Sequence, residues 1–209
     1  VYTVMAMGLT VTGLTAFALS NSTAAMQLIF GTPLQWVAMF APLAFIFFGF
    51  NQKTVMTKSA GYLRGMFYAF SAIFGVSLSV IFLAYAGADI ARAFFITAAT
   101  FAAMSILGYT TKIDLSKMGA FLFMGVIGLL IAIVANIFLQ SSMLDFIISV
   151  AGVLIYTALV AFDTQQIKES YHHSYGESNN KAAVMGALSL YINFIMMFQF
   201  ILSLISPRE

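Results

Sequence analysis

Residues 121–135 read Phe-Leu-Phe-Met-Gly-Val-Ile-Gly-Leu-Leu-Ile-Ala-Ile-Val-Ala. Apolar and polar side chains do not alternate in this run. A strand of a membrane β-barrel shows segments of about ten residues with alternating polarity, so the run predicts a helix. Working outward, no charge appears from Met118 to Leu144, between Lys117 and Asp145. A helix crosses a bilayer with about 20 apolar residues, and this gap is long enough. Charged residues make up 8% of the 209-residue chain and apolar ones 62%. Mean hydropathy is +0.99. Soluble domains carry about 25% charge, so a soluble globule is excluded, as is a disordered chain. Cysteine is absent, which removes disulfide frameworks and thiol chemistry. A net charge of +2 is too small for a nucleic-acid footprint.

The other gaps between charges are spans of the same kind. Residues 1–52 carry no charge, too long a stretch for one helix at about 1.5 Å per residue. Ser20-Asn21-Ser22-Thr23 and Thr32-Pro33 punctuate it, giving spans near 2–19 and 35–50. Gaps 65–88, 93–111, 118–144, 146–162 and 182–207 supply five more. The fold class is all-α: a polytopic membrane protein of seven helices, one domain over 1–209. Ala16-Phe17-Ala18 fits a signal-peptide cleavage site, but no charged n-region precedes it, so the first span reads as a true helix with its lead-in missing. With the N-terminus cytoplasmic, Lys53, Lys58, Arg64, Lys112, Lys117, Lys168 and Lys181 fall inside. Only Arg92 and Arg208 fall outside, as the positive-inside rule prefers.

Several polar and small residues read as structural. Ser71, Gly75 and Ser79 recur at four-residue spacing, and Gly119, Gly125 and Gly128 mark the fifth span. Close helix contact explains them better than a pore lining. Asp89, Asp145 and Asp114 lie at helix starts, where a carboxylate faces the positive dipole end. His172 and His173 are adjacent, so a helix would point them apart.

Asp163 stands out. It ends Ala158-Leu159-Val160-Ala161-Phe162 in the sixth span, where the helix dipole opposes a negative charge and burial penalises it. It needs a compensating partner. Asn193 lies near the middle of the seventh span and needs one too. A connection turning near residue 178 places both at one depth. Ala182, Gly186, Ser189 and Asn193 share one helix face, followed by the apolar Met196, Met197, Phe198 and Phe200. On the sixth helix Ser149, Gly152, Tyr156 and Asp163 form a comparable stripe. A polar stripe (Ser149, Tyr156, Gly186, Ser189) sealed by a plug (Met196, Met197, Phe200) reads as a closed conduit.

Leu159-Val160-Ala161-Phe162-Asp163-Thr164-Gln165-Gln166 and Gly186-Ala187-Leu188-Ser189-Leu190-Tyr191-Ile192-Asn193-Phe194-Ile195 resemble the Bax inhibitor family, the transmembrane Bax inhibitor motif proteins. The resemblance implies a bundle with the seventh helix at its centre, in a bacterial inner membrane. It implies that Asp163 is half of a carboxylate pair sensing pH for a calcium leak. Two close carboxylates share a proton. The second position here is Asn193, which cannot titrate, and Met196 replaces the motif's later Asn. The amide can still donate to the carboxylate, so the expected gate is weaker or shifted in pH. Relatives latch the first aspartate with an arginine after the second span. Phe50-Asn51-Gln52-Lys53 has none, leaving Lys53 or Arg64 as substitutes.

The leading reading is therefore a Ca²⁺ leak with no cofactor, in which Asp163 meets the permeating ion transiently. Ca²⁺ prefers six to eight oxygens, and one carboxylate suits a weak, fast leak. The alternative is a non-conducting regulator of a membrane AAA+ protease, as some bacterial relatives are. Intramembrane catalysis lacks a second carboxylate, so no enzyme is expected. The seventh span carries no lysine for a retinal Schiff base.

Overall fold

The computed structural model describes residues 1–173 and 176–206, and the side chains of all of these except Tyr171, His172 and His173. The expectations for His172, His173 and Arg208 therefore fall outside the described residues. Helices dominate, and no strand occurs among the described residues. In chain order they are α1 (Tyr2–Ser20), α2 (Thr23–Phe30), α3 (Leu34–Gly49), α4 (Gln52–Thr57), α5 (Ala60–Leu78), α6 (Ile81–Ala84) and α7 (Gly87–Thr110), then α8 (Gly119–Leu139), α9 (Ser142–His173) and α10 (Glu177–Ile205). A 3-10 turn, Ser116–Met118, precedes α8.

Among the described residues six helical stretches are long and apolar enough to cross a membrane: α1, α5 with α6, α7, α8 with its preceding turn, α9 and α10. A seventh arises if α2 and α3 count as one span bent by 81°. The bend has a local cause. The Gly31-Thr32-Pro33 corner interrupts the ladder, and Thr32 Oγ1 turns back to the Leu28 carbonyl at 2.6 Å. The sequence pattern suggests only a loop before residue 35, whereas α2 occupies that stretch. Between α5 and α6, Ser79 Oγ donates to the Val76 carbonyl at 2.7 Å, a back-bond that bends helices.

The chain divides into two compact units. The first comprises Val1–Ala86 and Ser174–Tyr191. Here α1 packs on α5, and α3 packs on the same helix. Met5, Gly8, Thr12 and Ala16 are the buried line of α1, three and four residues apart as one helix face requires. Gly75 is needed at this contact, because a Cβ there would sit 2.7 Å from the Thr12 carbonyl oxygen. Tyr191 fills the core. Phe67, Phe70 and Phe74 approach its ring edge-on, with centroids 5.4, 5.8 and 6.1 Å away, the geometry that the ring quadrupoles favour. Its hydroxyl lies 2.6 Å from Thr12 Oγ1. Thr12 has one proton to give, and it faces the Ser71 and Gly8 carbonyls at 2.9 and 3.0 Å. Tyr191 is therefore the donor to Thr12.

The second unit comprises Gly87–His173 and Ile192–Glu209. In it α7 and α8 both pack on α9. Ala93, Thr97, Phe101, Ser105 and Gly108 form the buried line of α7. Gly108 lies against the Ala161 backbone so closely that any Cβ would overlap it. Gly119 and Gly125 face Phe162 and Ile155, as close packing anticipates, while Gly128 faces open space. The most enclosed span is α10. Its apolar window is 61% buried, against 11 to 33% for the other unbent spans.

Candidate functional site

Within the second unit, α9 and the C-terminal half of α10 run antiparallel and are joined by a ladder of side-chain pairs. Ser149 Oγ donates to Ser203 Oγ at 3.2 Å. The Tyr156 ring stacks on Phe200 at 5.9 Å, which also lies over Gly152. Thr157 Oγ1 donates to Met197 Sδ at 3.3 Å. At the end of the ladder Asn193 Nδ2 donates to Asp163 Oδ2 at 2.8 Å. Asn193 is 5% exposed and Asp163 is half-buried. A carboxylate at this depth is costly without a donor, and the amide supplies one. The two residues whose partners the sequence leaves open are thus bonded to each other.

Beyond that bond α10 is apolar apart from Gln199 and Ser203. Met197 is fully buried and Phe200 nearly so, while Met196 is half-buried. Of the stripe, Ser149 and Tyr156 belong to this unit and bond or stack as above. Gly186 and Ser189 belong to the first unit, where both are half-buried. Lys53 and Arg64 are exposed residues of the first unit. Among the described residues no three His, Cys, Asp or Glu side chains converge as metal ligands.

The sequence alone assigns no role to Gln165 and Gln166. Gln165 is buried and clamps the α7–α8 connection with both ends of its amide. Oε1 accepts the Leu115 N–H at 2.7 Å, and Nε2 donates to the Ile113 carbonyl at 2.9 Å. Gln166 Nε2 donates to Ser116 Oγ at 2.8 Å. In the same connection Asp114 Oδ1 accepts the Ser116 N–H at 2.9 Å. That backbone bond, aided by the Ser116 hydroxyl and Lys117, holds the Asp114 carboxyl below its ordinary range. Lys168 Nζ donates to the Tyr109 carbonyl at 2.7 Å, a cation at the negative end of α7. The one available signal is a pair of amides starting two residues after Asp163 at the end of a span. Asp89 and Asp145 do lie in first helical turns. Asp89 sits 3.5 Å from Arg92, and Ser141 Oγ accepts the Leu144 N–H at the start of α9.

A sequence model of the family described as "Inhibitor of apoptosis-promoting Bax1" matches residues 1–209. The chain is 43% identical to a protein of Caulobacter vibrioides, over 97% of this chain and 85% of the relative. It is 38% identical to protein RP147 of Rickettsia prowazekii, over 100% of this chain and 88% of that one. Against the inner membrane protein YbhL of Escherichia coli K12 the identity is 36%, over 100% and 90%.

Proposed function

This chain belongs to the Bax inhibitor family, and from that premise we propose that it is a Ca²⁺ leak conduit gated where α9 meets α10. It is an integral, multi-pass membrane protein. The inner membrane of a bacterium is its proposed location, with the N-terminus cytoplasmic and the chain acting as one functional domain. The observation that carries the gating proposal is the Asn193–Asp163 hydrogen bond at 2.8 Å. One half-buried carboxyl group is held at the boundary between polar and apolar parts of α10. Outward of it, Met196, Met197 and Phe200 form the plug. Parting of the two helices breaks the bond and exposes the Asp163 carboxylate to a passing cation, a single weak ligand for Ca²⁺.

The contact holds one titratable group, so the parent has a shallow pH response. Asn193→Asp would place two carboxylates at hydrogen-bond distance. Such a pair shares a proton and parts when it is lost. The test is Ca²⁺ entry into dye-loaded proteoliposomes between about pH 5 and pH 8. The range reaches upward because a like-charged neighbour and burial both raise a carboxyl pKa. The parent should conduct with little pH dependence, Asn193→Asp should add a pH step, and Asp163→Asn should change the rate. A flat profile in Asn193→Asp removes the gate. Folded parent that passes no more Ca²⁺ than empty vesicles removes the conduit and turns the search to a protein partner, a membrane AAA+ protease first.

A further inference from the structure

The first unit holds a groove of about 530 Å³ that the gating proposal does not use. Its apolar lining is Val55 and Met56 of α4 with Ala182 and Met185 of α10, and its charged lining is Glu177 and Lys181. Met56 is 69% exposed, so the apolar wall is open.

The two charges are not equally available. Glu177 Oε1 accepts the Ala60 N–H at 3.0 Å and thereby caps α5. Lys181 Nζ donates to the Met56 carbonyl at 3.0 Å, which uses one of the three donors of an ammonium. More positive charge stands close by in the chain. Lys53 lies on α4, three residues before Met56 and so on the same side of the helix, and is exposed. Lys58 follows α4, with its ammonium 5.3 Å from the Tyr62 ring centre. The groove is therefore an apolar slot between α4, which precedes the α5 span, and the start of α10; Lys181 lines it, Lys53 and Lys58 are close in the chain, and its one carboxylate is engaged.

An occupant that matches both halves has an apolar chain and an anionic head. A small soluble anion leaves the apolar wall bare, and a neutral lipid leaves the lysines without a counter-charge. The depth agrees, because span ends lie where hydrocarbon meets headgroups, and basic sites there select anionic lipid. We infer that this groove binds one anionic phospholipid of the surrounding leaflet. Its acyl chain lies along Val55, Met56, Ala182 and Met185, and its phosphate meets Lys181 and Lys53. The bound lipid braces α4 against α10.

The test is native mass spectrometry of the delipidated full chain, titrated separately with POPG and POPC. The first POPG is expected to bind more tightly than the first POPC by about five-fold for each lysine engaged. Lys53→Gln with Lys58→Gln changes only exposed side chains and should reduce that preference by at least a factor of several. Adding Lys181→Gln should abolish it. Ala182→Trp fills the slot and should weaken the first binding of both lipids. Equal affinity for POPG and POPC overturns the inference. So does a preference unchanged in the triple lysine variant, or complete displacement of POPG by inorganic phosphate. If Ala182→Trp does not fold, the lysine series alone decides.

Discussion

At the scale of single residues, the clearest dependence is between Pro42 and Ser77. Pro42 lies inside α3 and has no N–H, so the Ala38 carbonyl four residues earlier loses its helical donor. Ser77 of α5 donates its hydroxyl to that carbonyl. Leaving a buried carbonyl unpaired costs about 1–3 kcal/mol, so Ser77→Ala should lower stability in thermal unfolding by that amount. In a Pro42→Ala background the helix provides its own donor, and the same serine substitution should cost much less. Equal costs in both backgrounds would refute the pairing. Asp163 and Asn193 are legible in the sequence because each sits where an apolar segment offers it no partner. Ser77 and Tyr191 are not. Their partners are a backbone carbonyl and a threonine on other helices, and no spacing within one helix points to them.

At the scale of elements, charge gaps locate the spans but not their ends. The sixth gap closes at Asp163, yet α9 continues to His173. A helix persists past the apolar stretch when its polar turns find work, and here they grip the neighbouring connection. Gln165 clamps Leu115 and Ile113, Gln166 holds Ser116, and Lys168 covers the end of α7. Gln165→Ala removes two of these bonds at once. Hydrogen exchange at the Leu115 amide should speed up several-fold while α9 itself stays protected. Unchanged exchange at Leu115 would show that Asp114 and Gln166 hold the connection without it. The charge pattern presents the second span as one helix from 35 and misses its bent partner α2 for a plain reason. Eight uncharged residues before a Thr-Pro corner look the same as loop when charge is the only ruler.

At the scale of the whole molecule, the all-α membrane class follows from composition alone, and the helices agree with it. Orientation is a separate matter and rests on seven basic residues against two. The absence of cysteine makes it measurable without background. Lys117→Cys should resist a membrane-impermeant maleimide in intact cells, and Arg92→Cys should react. The reverse pattern would place the N-terminus on the other side. The special position of α10 is implied by its resemblance to a known motif rather than by hydropathy, in which α8 exceeds it.

The burial of α10 has a consequence for how the protein is made. Tyr191 ends the segment that completes one unit and Ile192 begins the segment that completes the other, and both segments follow every other span in the chain. During synthesis the earlier helices enter the bilayer before the helix that fills either core exists. Until it arrives, Thr12 and Asp163 have no Tyr191 or Asn193 to bond. Nascent chains halted before residue 177 are then open assemblies, exposed to quality-control proteases, and maturation of both halves waits on a single late insertion.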